Sequence, residues 1–256
     1  MGVELSPTSH DAVLDGRLTL RQPRAGHRVG HDAILLAAAT GARAGEHAAD
    51  LGAGVGGAGL ALARRVEGLN VTLVEVDPEL VALAAENVAH NGFAARVRAV
   101  CLDAAGPAAS FARAGLAPGT MAHVLMNPPF NAQRQQASPD RSRRFAHVAA
   151  PGTLNQWVRT AARLLHPTGV LTLIWRADGL DAAVQALAAG FGALALLPVH
   201  PKPAVPAIRV LMRAVKGSRA PLSLLPGLIL ADATGNPTAE AEAVLRGGAA
   251  LPLADV

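Results

Sequence analysis

Asn127-Pro128-Pro129-Phe130 is the stretch of this sequence whose residue types most directly suggest a reaction. An exocyclic NH₂ on a planar ring is a poor nucleophile, because its lone pair is delocalised into the ring. The Asn127 side-chain oxygen and the Pro128 carbonyl could each accept one N–H, so that the lone pair turns toward an electrophile. Two consecutive prolines fix φ and restrict the residues before them, which keeps both acceptors rigid. Phe130 offers a flat face on which a target base could stack, worth about 1–3 kcal/mol. Chemistry of this kind depends on alignment. It calls for no strong general base, and no metal is expected.

The electrophile is suggested upstream. The stretch Asp50-Leu51-Gly52-Ala53-Gly54-Val55-Gly56-Gly57-Ala58-Gly59 follows a short apolar run and opens a helical one. Glycines let a backbone turn tightly and approach a ligand closely. Two readings of this loop are open. Gly52-x-Gly54-x-x-Gly57 fits a dinucleotide fingerprint, with Glu75 placed 75 − 52 = 23 residues on as the ribose acid. Asp50-x-Gly52-x-Gly54-x-Gly56 equally fits the loop of an S-adenosylmethionine site. In both cases an adenosine-like ligand sits over strand ends. Other features favour S-adenosylmethionine. Asp103 follows the third strand and could accept from the adenine amino group, while Glu75 could accept from both ribose hydroxyls. The sulfonium carries no phosphate, so no helix-dipole phosphate site is required. About 50 residues precede the loop, whereas dinucleotide folds often start close to it.

These residues need a frame. From His47 onward, short apolar runs alternate with Ala-rich helical stretches. Strands are expected at 47–51, 71–76, 97–102, 121–126, 169–175, 193–199 and 207–214. Helices are expected at 56–66, 78–90, 107–115, 153–165 and 179–190. This alternation predicts an α/β fold of βαβ units. The expected architecture is a Rossmann-like, seven-stranded, mainly parallel sheet with helices on both faces. The last two strands lack a helix-length connection, so the final one should run antiparallel. Residues 17–21 suggest a hairpin strand, and 32–40 a helix. We therefore expect an N-terminal extension over 1–45, hairpin plus helix, packed on a catalytic domain over 46–256. The tail 216–256 shows little periodicity. Residues 130–152 form a long segment without helix or strand signals, and such loops are usually functional.

Composition narrows the class. Hydrophobic residues make up 51% and charged residues 16% of the 256-residue chain, which marks a globular chain and excludes a disordered one. Cys101 is the one cysteine, which excludes an internal disulfide and a cysteine metal site. The N-terminus has no signal-peptide h-region, and no apolar run reaches the ~18 residues of a membrane helix. A cytoplasmic location is expected. The loose M-G-x-x-x-S myristoylation pattern at the start is read as chance.

Two acid-poor basic clusters stand out against the mild net charge of +4. The first, over 17–31, contains Arg17, Arg21, Arg24, His27, Arg28 and His31. The second, over 130–147, contains Arg134, Arg141, Arg143, Arg144 and His147 against Asp140 alone. One precedes the entry helix and the other follows Asn127-Pro-Pro-Phe, where they could hold phosphates on either side of an unstacked base. Arg24, Arg28, Arg134, Arg141, Arg143, Arg144 and His147 are the candidate RNA contacts.

The order Asp50-x-Gly-x-Gly, Val74-Glu75-Val76-Asp77, Asp103 and Asn127-Pro-Pro-Phe130 resembles class I methyltransferases acting on planar nitrogen. The flanks Arg21-Gln22, Val29-Gly30-His31-Asp32-Ala33-Ile34-Leu35-Leu36-Ala37, Pro201-Lys202, Arg209-Val210-Leu211 and Lys216-Gly217 are similar to the bacterial tRNA(Val) adenine-N6 methyltransferase family. The likeness runs over roughly 14–245. It departs at the extra glycines Gly57 and Gly59, and at Ala146 and Val148, where that family usually has Arg and Glu.

The resemblance implies a methyltransferase that transfers a methyl group from S-adenosyl-L-methionine to an exocyclic amino nitrogen, adenine N6 in tRNA first. It leaves open protein glutamine-N5 and rRNA guanine-N2 transfer. A non-catalytic nucleotide-binding Rossmann protein is the reading from another class. The short, Arg-rich N-terminal part counts against a glutamine enzyme. The expected cofactor contacts are Asp50, Gly52, Ala53, Gly54, Gly56, Glu75, Val76, Asp103, Asn127 and Asp32. The expected catalytic set is Asn127, Pro128, Pro129 and Phe130.

Overall fold

The computed structural model describes residues 7–25, 28–129 and 152–256. Phe130, Arg134, Arg141, Arg143, Arg144 and His147 lie outside the described residues, as do His27 and residues 1–6. An antiparallel hairpin, β1 (Thr8–Val13) and β2 (Leu18–Pro23), comes first and is followed by α1 (His31–Ala38). Then β3 (His47–Leu51), α2 (Gly57–Arg65), β4 (Asn70–Glu75), α3 (Pro78–His90), β5 (Val97–Cys101), α4 (Ala108–Arg113) and β6 (Met121–Met126) alternate. After the undescribed stretch come α5 (Thr153–Leu164), β7 (Leu165–Arg176), α6 (Leu180–Ala188), β8 (Phe191–His200) and β9 (Arg209–Lys216).

The main sheet runs β8-β9-β7-β6-β3-β4-β5. β3, β4, β5, β6 and β7 pair in parallel, and β9 lies antiparallel between β7 and β8. This is the expected Rossmann-like, mainly parallel sheet with an antiparallel strand inserted near one end. The expected seven strands are extended to nine. Two short strands from the tail, β10 (Ser223–Leu224) and β11 (Leu228–Ile229), join β8 in parallel. Each is two residues long, too short for alternation to register in a sequence. α7 (Ala239–Leu245) follows, with Thr238 accepting from the Ala241 N–H as its N-cap, and a short 3-10 turn at Pro252–Ala254 comes after it.

Alternate residues of the strands face opposite sides of the sheet. Leu125 packs in the core beneath α1, α2, the hairpin and the tail, which contributes Leu251 and Leu253. Val124 and Met126 pack in the other core, with Phe111 and the buried faces of α5 and α6. Half-buried arginines meet the ends of two helices on the first side. Arg65 donates to the carbonyls of Ala37 and Thr40 at the end of α1. Arg96 donates to Ala63 O at 2.7 Å and to Leu69 O at 3.1 Å at the end of α2. Cations there complement the helix dipoles.

The parallel strands all end at one edge. Leu51 pairs with Val74 on β4 and with Met126 on β6. Gly52 and Asn127 therefore leave adjacent strands at the same level, and ladder spacing sets neighbouring strands ~4.8 Å apart.

Candidate active site

The loop between β3 and α2 is built by its glycines and by two carboxylates. Gly52, Gly54 and Gly56 take φ of +74°, +56° and +94°, where a side chain would be strained. Gly52 and Ala53 both donate to Val74 O, at 2.9 and 3.0 Å, which folds the loop back over β4. A Cβ on Gly54 would meet nothing within 4 Å, so this part of the loop opens onto space.

Asp50 is buried at 2% exposure and accepts the Gly59 N–H at 2.8 Å. This bond ties the start of α2 to the end of β3. Burial pushes the Asp50 carboxyl up to about 7; the Gly59 hydrogen bond opposes the rise and the nearby Glu75 carboxylate adds to it. Glycine at 59 has a steric cause, since a Cβ there would lie 2.3 Å from a Leu73 methyl and 3.1 Å from the Asp50 Oδ2.

Glu75 ends β4 and collects three backbone donors. Its Oε2 accepts from Gly54 at 2.9 Å, and its Oε1 accepts from Val76 at 2.8 Å and Asp77 at 3.0 Å. Asp77 in turn caps α3 by accepting from Glu79 at 2.8 Å. Asp103, past β5, is exposed and accepts the Ala105 N–H at 2.8 Å.

Asn127 follows β6, with Pro128 buried and Pro129 exposed. The Asn127 Oδ1 is buried and has no hydrogen-bond partner among the described residues. A buried acceptor left unmet costs about 1–3 kcal/mol, so an arriving N–H donor would be favoured there.

Other expected site residues are differently placed. Asp32, expected at the cofactor, pairs with Arg209 at the start of β9 at 2.9 Å. The first basic cluster is acid-poor only along the chain. Arg28 pairs with Asp11 of β1 at 2.7 Å, and Arg21 with Glu86 of α3 at 2.6 Å. Both acids come from outside residues 17–31, so their proximity depends on folding. Arg24 donates through Nε to Thr8 O at 3.0 Å and remains exposed.

One neighbour of the site was missed from sequence. The Trp157 ring, carried by α5, lies against Gly52, where a Cβ would sit 2.3 Å from the ring's Cη2 atom. The first glycine of the loop is therefore needed for the indole as well as for its φ. The available signal was one of two tryptophans placed just after the Asn-Pro-Pro-Phe region.

The family model for the methyltransferase small domain matches residues 27–202. The chain belongs to that family. It is an S-adenosyl-L-methionine-dependent methyltransferase. A relative from Tolumonas auensis, named tRNA1(Val) (adenine(37)-N6)-methyltransferase, is 29% identical over 66% of this chain and 68% of its own length. One of the same name from Porphyromonas gingivalis is 32% identical over 60% of each chain. The chain thus spans about two thirds or less of these relatives. Among solved structures, protein Atu636 from Agrobacterium tumefaciens, described as a predicted O-methyltransferase, is 31% identical with a TM-score of 0.73. The match covers 86% of this chain and 98% of that one. TrmN from Thermus thermophilus shares the fold at 21% identity and a TM-score of 0.52, over 72% of this chain and 48% of its own.

Proposed function

We propose that this methyltransferase acts on the exocyclic amino nitrogen of adenine, N6, in a tRNA. The observation that carries the reading is the buried, unpartnered Asn127 Oδ1 beside the glycine loop. It is an acceptor awaiting an N–H. An amino group brings two hydrogens, one for Asn127 Oδ1 and one for the Pro128 carbonyl. The prolines hold the two acceptors in one relative position. When bound, S-adenosyl-L-methionine supplies an electrophilic methyl group on its sulfonium. The residues present fit that ligand: the open space at Gly54, the Glu75 carboxylate at the strand end and the Asp103 carboxylate beyond β5. Gly52, Ala53, Gly56 and Val76 contribute backbone, and Asp50 holds the loop from beneath. Asp32 pairs with Arg209. Phe130 and the Arg134–Arg144 cluster are assigned to the target from sequence alone, with Arg24 on the described side. The names of the curated relatives support tRNA over protein.

The test is methylation of total RNA from a strain lacking the gene, using purified protein and labelled S-adenosyl-L-methionine, followed by nucleoside mass spectrometry. N6-methyladenosine in the tRNA fraction is expected. Label in protein would point to a glutamine amide. N2-methylguanosine or an O-methylated nucleoside would overturn the adenine assignment.

A further inference from the structure

We propose that the N-terminal hairpin is a clamp on the glycine loop, with Asn87 and Val29 as the positioning residues through which it sets the cofactor cradle. The proposal rests on the reading of residues 52–57 as that cradle.

Among the described residues the hairpin is a two-stranded sheet of its own, so β2 has an edge with no strand beside it. Two side-chain amides, Asn87 in α3 and Asn91 at its C-cap, take the place of that strand. Asn91 accepts the Thr19 N–H at 3.0 Å and donates to Thr19 O at 2.8 Å. Asn87 accepts the Arg21 N–H at 2.7 Å and donates to Arg21 O at 3.0 Å. The spacing explains the match. Residues four apart on a helix are ~6 Å apart along its axis, and residues two apart on a strand are ~6.6 Å apart.

Asn87 does one thing that Asn91 does not. Its second amide hydrogen goes to Val55 O, at 3.0 Å, between Gly54 and Gly56. Asn87 is 1% exposed, so all three of its bonds are sheltered from water. One side chain thus joins β2, α3 and the loop.

A second grip comes from the chain beyond β2. Gln22, 2% exposed, accepts the Val29 N–H at 2.9 Å and donates to Asp11 at 2.7 Å. Val29 is thereby held with its side chain over Gly57. A Cβ on Gly57 would lie 2.7 and 2.8 Å from the two Val29 methyls and 3.3 Å from the Val29 Cβ. Gly57 opens α2 and has no positive φ, so its backbone would accept alanine. Alanine is also the better helix former. The space taken by Val29 is what requires glycine here. This accounts for one of the extra glycines that depart from the family pattern.

Binding of S-adenosylhomocysteine by calorimetry tests the clamp, with thermal unfolding in parallel. Gly57→Ala should weaken binding by about tenfold, and Val29→Ala alone by about threefold or less. The double variant should return to within about threefold of Val29→Ala, since the clash is removed. If Gly57→Ala binds as wild type, or the double variant stays as weak as Gly57→Ala, the clamp is wrong. Asn87→Asp retains the acceptor and loses the donors, so binding should weaken about tenfold. Asn91→Asp loses a bond to the hairpin and none to the loop, and should change binding by less than about threefold. Equal losses in the two variants, at temperatures well below either Tm, would leave Asn87 a merely structural role. Glu75→Ala binding as tightly as wild type would instead overturn the cradle reading itself.

Discussion

Asn127 and Asp50 both carry polar groups out of reach of water, with different consequences. The Asn127 oxygen is unmet, and the proposed reaction would meet it only in the complex with target. Asn127→Ala is expected to lower methyl transfer by about 10²–10³-fold, as for other lost transition-state contacts, while S-adenosylhomocysteine affinity changes by less than about threefold. A parallel collapse of cofactor affinity would mean that Asn127 has been assigned the wrong role. Asp50 is met by Gly59 but remains costly to ionise, with its carboxyl raised from 3.8 to about 7. A carboxyl whose folded pKa lies above its unfolded one holds more protons when folded. Its contribution to stability is fully present below about pH 4 and is lost as pH rises through about 7. Asp50→Asn keeps an oxygen for Gly59 and has nothing to ionise. The Tm of Asp50→Asn minus that of wild type should therefore grow from about pH 4 to about pH 8. A difference flat across that range would remove burial of the charge as the cause. These two residues were legible in the sequence, because their neighbours Pro128-Pro129 and Gly52-x-Gly54 have narrow uses. Trp157 and Asn87 were not, because each acts on a segment distant in the chain.

The elements on which these residues sit follow local rules. α3 over Pro78–His90 coincides with the expected 78–90, because Asp77 caps it, Pro78 opens it and an amphipathic pattern fills it. β3 and β6 match the expected bounds as well, β3 ending just before Gly52 and β6 just before Asn127-Pro128. The match fails where local signals mislead. β7 begins at Leu165, directly after α5, because Leu165 pairs with Met121 ahead of the turn-like His166-Pro167-Thr168-Gly169. The β1–β2 hairpin was suggested by Leu18-Thr19-Leu20, but its seating was not. That seating uses the amides of Asn87 in α3 and Asn91 at its C-cap, some seventy residues away, and an asparagine there carries no mark of its partner.

Across the whole molecule, one core draws on Leu14 and Leu18 of the hairpin, Leu35 and Leu36 of α1, Leu125 and Leu211 of the sheet, and Leu253 of the tail. The tail, featureless by periodicity, closes that core. Leu253 is fully buried, and Leu253→Ala is expected to cost about 2–5 kcal/mol and to lower Tm by roughly 5–15 °C. Unchanged thermal unfolding would show that the tail is dispensable to the fold. Electrostatics show a similar difference between the chain and the folded molecule. Arg21 and Arg28 lie in a stretch without acids, yet folding brings Glu86 and Asp11 to them. By itself the sequence determined the βαβ alternation, the antiparallel course of β9 and the two motifs that meet at the strand ends, since period, capping and backbone restriction are local properties. Tertiary structure alone decided which polar groups are paired and which are left unmet. It decided that Asp32 faces Arg209, that Trp157 lies against Gly52, and that the Asn127-Pro128-Pro129 end of β6 stands beside a glycine loop gripped by Val29 and Asn87. The physical reason is that hydrogen bonds and steric fit depend on distances of a few ångströms, which only the packed chain sets.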